Sequence, residues 1–264
     1  MLTTKDFPPS SRVPPVRLVG AGPGAADLIT VRGARALGNA EVVLYDDLAN
    51  AELLELCPVD CERIYVGKRA GAHSASQSRI CELLVEKALT GQRVVRLKGG
   101  DPMVFGRAGE ELQALADAGL EFEIVPGVTA AAAAGAVSSI PLTQRGITST
   151  MVFVTGHDCA DRATPVNWPA LAALRATLCI YMGTKRFGTI ADALIEGGLP
   201  VDTSVAVIAG ATLTSQHVRI GTLADRDALT NDPARRPALI IVGEVVRWSE
   251  LATAASQLAT ASAN

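Results

Sequence analysis

The chain has 264 residues, 24 Lys and Arg against 27 Asp and Glu, a formal net charge of −3, and 48% apolar residues. Such a composition folds, and at this length roughly three quarters of the unfolded surface can be buried, in one large domain or two smaller ones. The weakly acidic balance excludes a nucleic-acid binder working through overall charge, leaving only a local basic groove open.

No stretch approaches the ~18 consecutive apolar residues of a membrane span. Residues 1–15 are Pro- and Ser-rich, lack the apolar core of a signal peptide, and read as a disordered arm. Five cysteines (Cys57, Cys61, Cys81, Cys159, Cys179) without a CxxC pair suit reduced, mostly buried thiols and a cytoplasmic location. With His73, His157 and His217 as its three histidines and no HExxH, the chain is expected to hold no metal.

In chain order, residues 16–127 alternate short β-rich runs with helical stretches. The predicted strands are 16–20 (VRLVG), 41–45 (EVVLY), 63–66, 93–97 (RVVRL) and 121–125 (EFEIV). Between the third and fourth, Ile80, Leu83, Leu84 and Ala88 recur at helical spacing, with Ser74 and Gln77 as a capping box and Thr90-Gly91 as the stop. Strands separated by helices predict parallel βαβ units, whose ligand site falls at the carboxyl ends of the strands. Residues 128–146 read as a helix of very small residues followed by a Pro-containing linker.

A second series follows over 147–248, with strands at 150–155, 177–181, 204–209, 217–221 and 237–242 and helices near 169–174, 187–196 and 223–229. The run SVAVIAGATLTSQHVRIG contains two strands joined by a short connection, so this half is mixed rather than purely parallel. Residues 249–264 form an Ala/Thr/Ser-rich tail. The sequence contains no internal repeat.

Several strand-end loops could carry chemistry. Gly20-Ala21-Gly22-Pro23-Gly24 lets a ligand approach backbone amides, or is simply a tight turn. It is not a dinucleotide fingerprint, because the third glycine is displaced and Pro23 removes an amide. In Lys98-Gly99-Gly100-Asp101-Pro102 the carboxylate could meet a hydroxyl or an ammonium, Asp101 could cap a helix that starts at Pro102, and both can hold at once. Tyr45-Asp46-Asp47 and Gly67-Lys68-Arg69 end strands two and three. If those strands share one sheet, a carboxylate and a cation converge there as base and acid or as an anion grip, with solvated turn charges the alternative. Pro126-Gly127-Val128-Thr129-Ala130 adds a fifth turn. Cys57 and Cys61 read as buried thiols, and His157 in TGHD as an acid/base candidate or, more commonly for a lone loop histidine, a surface residue.

The strings VGAGPGAADLIT, YDDL, VGKRAG, VVRLKGGDPMVFGRAGEE and PGVTAAAAA, in that order and spacing, resemble the tetrapyrrole methyltransferases. The similarity runs from about Val16 to Arg247 through IPLTQR, VTGH, YMG and PALIIVGEVV. It is strongest to the branch acting on uroporphyrinogen III in stand-alone form, without fused dehydrogenase and chelatase activities. The resemblance implies two αβα domains (the class III methyltransferase fold), a homodimer, and S-adenosylmethionine held in the interdomain cleft and released as S-adenosylhomocysteine. It implies methylation of uroporphyrinogen III at C2 and then C7, through precorrin-1 to precorrin-2, for cobalamin or siroheme biosynthesis.

Carried over by motif, the cofactor contacts would be Pro23, Gly99, Gly100, Asp101, Val104, Thr129, Ala130, Met182, Gly210 and Ala211. The proton acceptor and donor would be Asp46 and Lys68. Since the substrate bears many carboxylates, Arg69, Arg107, Arg145, Lys185 and Arg186 join Lys68 as the expected docking cations. The chain departs from the commoner pattern at Asp47, at Asn50 and in GATLTSQ. The alternatives are a methyltransferase on a later corrin precursor, an NAD(P)-linked oxidoreductase and a non-enzymatic tetrapyrrole carrier. Neither a membrane nor a nucleic-acid partner is expected.

Overall fold

The computed structural model describes residues 13–67, 76–157, 165–231 and 237–249. Two compact units divide the chain, Met1–Thr129 and Ala130–Asn264.

The first unit contains β1 (Val16–Gly20), α1 (Val31–Gly38), β2 (Val42–Tyr45), β3 (Glu62–Tyr65), α2 (Gln77–Leu89), β4 (Val94–Lys98), α3 (Ala108–Asp117) and β5 (Phe122–Val125). Its strands pair in the order β3-β2-β4-β1-β5, all parallel. Strands covered on both faces are apolar almost throughout, as VRLVG and VVLY are. On one face Val19, Val43, Val95, Leu97 and Val125 meet Ala36 and Leu37 of α1. On the other, Leu18, Leu44 and Val94 meet Ile80, Leu84 and Ala88 of α2 and Ala108 and Leu115 of α3. The chain leaving β1 thus turns to one face and the chain leaving β4, its neighbour, to the other. Backbone opens where such connections part.

Local signals set most boundaries. Thr30 caps α1 by accepting the Gly33 N–H at 3.1 Å. The cap of α2 is Ser76, which accepts from the Arg79 N–H at 3.1 Å, so the capping box expected from Ser74 and Gln77 gives way to a start two residues later; Ser74 itself lies outside the described residues. Gly91, at φ +81°, ends that helix as the sequence suggests. No helix begins at Pro102: α3 starts only at Ala108, and residues 101–107 form a broad loop.

The second unit contains α4 (Ala130–Val137), β6 (Met151–Thr155), α5 (Trp168–Ala173), β7 (Thr177–Tyr181), α6 (Phe187–Glu196), β8 (Ser204–Ala209), β9 (His217–Thr222), α7 (Arg226–Thr230) and β10 (Ala238–Val242). The order is β6-β7-β10-β8-β9; β6 and β7 are parallel and the other neighbours antiparallel, the mixed sheet that the short β8–β9 connection predicts. Phe187, Ile190 and Leu194 of α6, Ala172 of α5 and Leu229 of α7 pack on one face. Ala131 and Ala134 of α4, with Val245 and Val246 from the short helical turn Glu244–Arg247, cover the other. Each unit is therefore an αβα layering, as expected.

Candidate functional site

In the first unit three loops meet at the carboxyl ends of β1, β4 and β5. Gly22 and Gly100 pair as an isolated antiparallel bridge, through Gly22 N–H to the Gly100 carbonyl at 3.2 Å and Gly100 N–H to the Gly22 carbonyl at 2.6 Å. Both have positive φ, +82° and +67°, which glycine adopts without strain. A Cβ on Gly20 would lie 2.5 Å from the Gly127 Cα and 2.7 Å from the Gly100 carbonyl, and one on Gly127 would run into that same carbonyl. Glycine is needed here because three main chains touch.

Asp101 locks the cluster. Its Oδ2 accepts the Gly127 N–H at 3.0 Å, and its Oδ1 accepts the Met103 N–H at 2.8 Å. The carboxylate considered above as a helix cap thus ties the β4 loop to the β5 loop. Val104 donates its N–H to the Asp101 carbonyl at 3.2 Å, keeping it in the same turn. Pro23 lies between Gly22 and Gly24, and the Gly24 carbonyl accepts from the Asn50 side chain at 2.9 Å, which fastens the β1 loop to the segment after β2.

Asp46 stands at the end of β2. A Cβ on Gly99 would meet the Leu48 backbone and Cβ, so the β4 loop sits against the Asp46 loop. The Leu48 N–H donates to Asp46 Oδ1 at 3.1 Å and the Arg96 guanidinium to Oδ2 at 2.8 Å. The Asp46 side chain is 24% exposed. Asp47 accepts a short hydrogen bond from the Tyr65 hydroxyl, and the Tyr45 and Tyr65 rings meet edge to face at 5.6 Å. Lys68 and Arg69 lie outside the described residues.

Beneath Asp46 is a charge cluster that the motifs did not reveal. Arg96 and Lys98, on β4, are 3% and 4% exposed, and Glu111, on α3, is fully buried. Glu111 accepts from Arg96 Nε at 3.1 Å, from Lys98 Nζ at 2.9 Å through each oxygen, and from Gln77 Nε2 at 3.4 Å. Burial, then the neighbouring Arg96 charge, holds the Lys98 ammonium below the usual lysine range, with Glu111 opposing them. The signal was present in VVRLK: two cations two residues apart in a strand share a face, and a buried face requires them to be paired.

In the second unit β6, β7 and β8 run in one direction, since two antiparallel pairings separate β7 from β8. Gly156, Met182 and Gly210 therefore lie at the same rim. Met182 has φ +53° and is exposed, and Gly210 and Thr212 also have positive φ. Ala130 opens α4, and the Ala131 N–H donates to the Tyr181 hydroxyl at 3.1 Å, holding the helix start against the end of β7. Thus Ala130, Met182, Gly210 and Ala211 gather at one edge. Thr129 is the last residue of the first unit.

The expected docking cations behave differently from one another. Arg107 forms a two-pronged pair with Glu110, at 2.7 Å through both Nε and Nη2, and spans left-handed backbone at φ +54°. Arg145 lies in a surface loop, 143–149, around the Gln144–Thr148 bridge. Lys185 and Arg186 belong to the helical turn after β7. Lys185 lines a cavity of about 500 Å³ with His217, Arg219 and Asn231. Among the described residues no group of three or more His, Cys, Asp or Glu could hold a metal ion, and no helix is long and apolar enough to cross a membrane. Cys57, Cys61 and Cys179 are buried; burial pushes Cys179 up to about 12.

Two αβα units with backbone-built turns at their strand-end rims have the architecture of an α/β enzyme that takes its ligand at those ends. Residues 15–227 match the family of tetrapyrrole (corrin/porphyrin) methylases. The chain is 53% identical over 231 residues to siroheme synthase 1 of Yersinia pseudotuberculosis, covering 88% of this chain and 48% of that protein. It spans about half the length of the curated relatives it matches. Among solved structures, uroporphyrin-III C-methyltransferase from Thermus thermophilus complexed with S-adenosylhomocysteine aligns with TM-score 0.75 and 37% identity, over 88% of this chain and 99% of that one. A cobalt precorrin-4 methyltransferase of cobalamin biosynthesis aligns with TM-score 0.77 and 30% identity, over 88% and 95%. The chain belongs to the tetrapyrrole methylase family, enzymes that methylate tetrapyrroles with S-adenosylmethionine as donor.

Proposed function

We propose that this chain methylates uroporphyrinogen III at C2 and then at C7, forming precorrin-2 by way of precorrin-1. The observation that carries the reading is the 37% identity to a uroporphyrin-III C-methyltransferase with S-adenosylhomocysteine bound, extending over almost all of that chain. The VGKRAG and GGDPMVFGR strings favour the same substrate.

The residues present fit the donor. The first-unit rim is built from backbone at Gly22, Gly99 and Gly100 and from the Asp101 carboxylate, and the second-unit rim from Ala130, Met182, Gly210 and Ala211. Those groups suit an uncharged nucleoside and an amino-acid tail better than a phosphate, which would call for cations or a free helix start. The donor supplies a methyl group on a sulfonium, a good leaving group, so an electron-rich pyrrole carbon needs no protein nucleophile. What the chain must then supply is alignment and an acceptor for a proton. Asp46 is the acceptor and Lys68 the donor in this reading. Lys68, Arg69, Arg107, Arg145, Lys185 and Arg186 dock the substrate carboxylates, the working unit is a homodimer, and the setting is the cytosol.

The likeness to the precorrin-4 enzyme favours a second reading, methylation of a later corrin precursor. Anaerobic incubation with S-adenosylmethionine and uroporphyrinogen III, followed by product mass, separates the two. Two added methyl groups and release of S-adenosylhomocysteine support precorrin-2 synthesis. No transfer from a protein that still binds the donor moves the substrate to a later intermediate.

A further inference from the structure

The Arg96–Glu111–Lys98 cluster lies directly under Asp46, and its charges do not balance until Asp46 is included. Glu111 is matched by Lys98, whose ammonium reaches both of its oxygens at 2.9 Å. The Arg96 cation is then left over, and among the described residues its carboxylate partner besides Glu111 is Asp46, at 2.8 Å through Oδ2. We propose that Arg96 is a positioning residue that orients the Asp46 carboxylate for proton transfer, with Glu111 fixing the plane of the guanidinium. The inference rests on reading Asp46 as the proton acceptor.

All three guanidinium nitrogens are committed. Nε donates to Glu111 at 3.1 Å, Nη1 to the Leu97 carbonyl at 2.8 Å and the Leu44 carbonyl at 3.4 Å, and Nη2 to Asp46. A planar fork held at three points has no freedom to rotate, so the group it presents to Asp46 is fixed in place. On the carboxylate side, Leu48 N–H takes Oδ1 and Arg96 takes Oδ2, which sets the orientation while leaving the side chain partly exposed. A lysine at position 96 would bring charge without that fork and could not serve Glu111, the carbonyls and Asp46 together.

The test is a double-mutant cycle on the full chain, measuring methyl transfer to uroporphyrinogen III under anaerobic conditions. Arg96→Gln retains the Lys98–Glu111 pair; should it fail to fold, Arg96→Lys replaces it in the same cycle. The expected result is a fall in kcat on the order of 10- to 100-fold, the scale of losing alignment. KM for S-adenosylmethionine should stay within about twofold, since the donor contacts lie elsewhere, and Arg96→Lys should not restore the rate. In an Asp46→Asn background the same change should cost less than about twofold, because a residue acting through Asp46 has nothing left to orient. A slow Asp46→Asn enzyme slowed again by the full factor would overturn the positioning role alone. An Asp46→Asn enzyme with normal turnover would overturn the acceptor reading and this inference with it.

Discussion

Replacing Glu111 by leucine removes one negative charge from a site that holds two cations. Glu111 is fully buried, and Lys98 beside it is 4% exposed, so water does not reach the vacated position readily. Arg96 keeps Asp46 and the Leu97 carbonyl, whereas Lys98 loses both of its 2.9 Å contacts. Stranding one buried charge costs about 3–5 kcal/mol. The Glu111→Gln enzyme keeps one carbonyl acceptor and falls at the lower end of that range. Replacing both partners, Lys98→Met with Glu111→Leu, removes the stranded ammonium and should recover part of the loss, since apolar exchange of a buried pair is close to neutral while Arg96 Nε still lacks its 3.1 Å acceptor.

The pH course follows from the same residue. The folded-state pKa of Lys98 is lowered, so below its unfolded value of 10.5 the unfolded chain binds more protons than the folded one. The charge penalty is therefore greatest at low pH and fades as pH rises toward 10.5, over a wider pH window in Glu111→Leu. Tryptophan fluorescence would report the wrong half, since Trp168 and Trp248 both belong to the second unit. Hydrogen exchange of the β4 and β1 amides, followed by mass spectrometry, reads the first unit directly. A Glu111→Leu protein within about 1 kcal/mol of wild type, or a double variant as unstable as the single one, would refute the reasoning.

Further predictions concern the rim and the thiols. Gly20→Ala places a methyl group 2.5 Å from the Gly127 Cα and 2.7 Å from the Gly100 carbonyl, so the three loops must part; overpacking of this kind costs about 1–3 kcal/mol, and titration calorimetry should show weakened S-adenosylhomocysteine binding. Asp101→Ala removes the acceptor shared by Gly127 and Met103. It should weaken donor binding more than Asp101→Asn, which retains one acceptor oxygen, and equal losses would count against the tie between these loops. Burial, with the adjacent Cys61 thiol, pushes Cys57 from 9.0 up to about 11. Its folded form keeps a proton that the unfolded form loses, so the stabilising effect is complete below pH 9 and is lost as pH rises through 11. Relative to Cys57→Ala, wild type should lose stability over that window in denaturant titrations.

The sheets and most of the helices were legible in the sequence because their signals are local. VRLVG and VVLY are continuous apolar runs fit for strands covered on both faces, and the β8–β9 connection is too short for a parallel crossover. The glycine loops were legible as unusual turns. Their mutual contact was not, since Gly20, Gly100 and Gly127 are far apart in the chain and only the pairing of β1 with β4 and β5 joins them. The Asp101 role shows how a local reading fails: a helix cap at that position is sound chemistry, yet its carboxylate is taken by Gly127, which the order of strands brings within 3.0 Å.

Hydrophobic period, helix caps and glycine placement, all of which act over a few residues, set the layering of each unit and its strand-end turns. The tertiary structure decided which turns meet, and it decided the surroundings of Asp46. Arg96, Lys98 and Glu111 all lie within VVRLKGGDPMVFGRAGEE, yet their pairing arises only where α3 covers β4 and excludes water. There two cations and two carboxylates must satisfy one another, because burial makes any charge left unpaired too costly to keep.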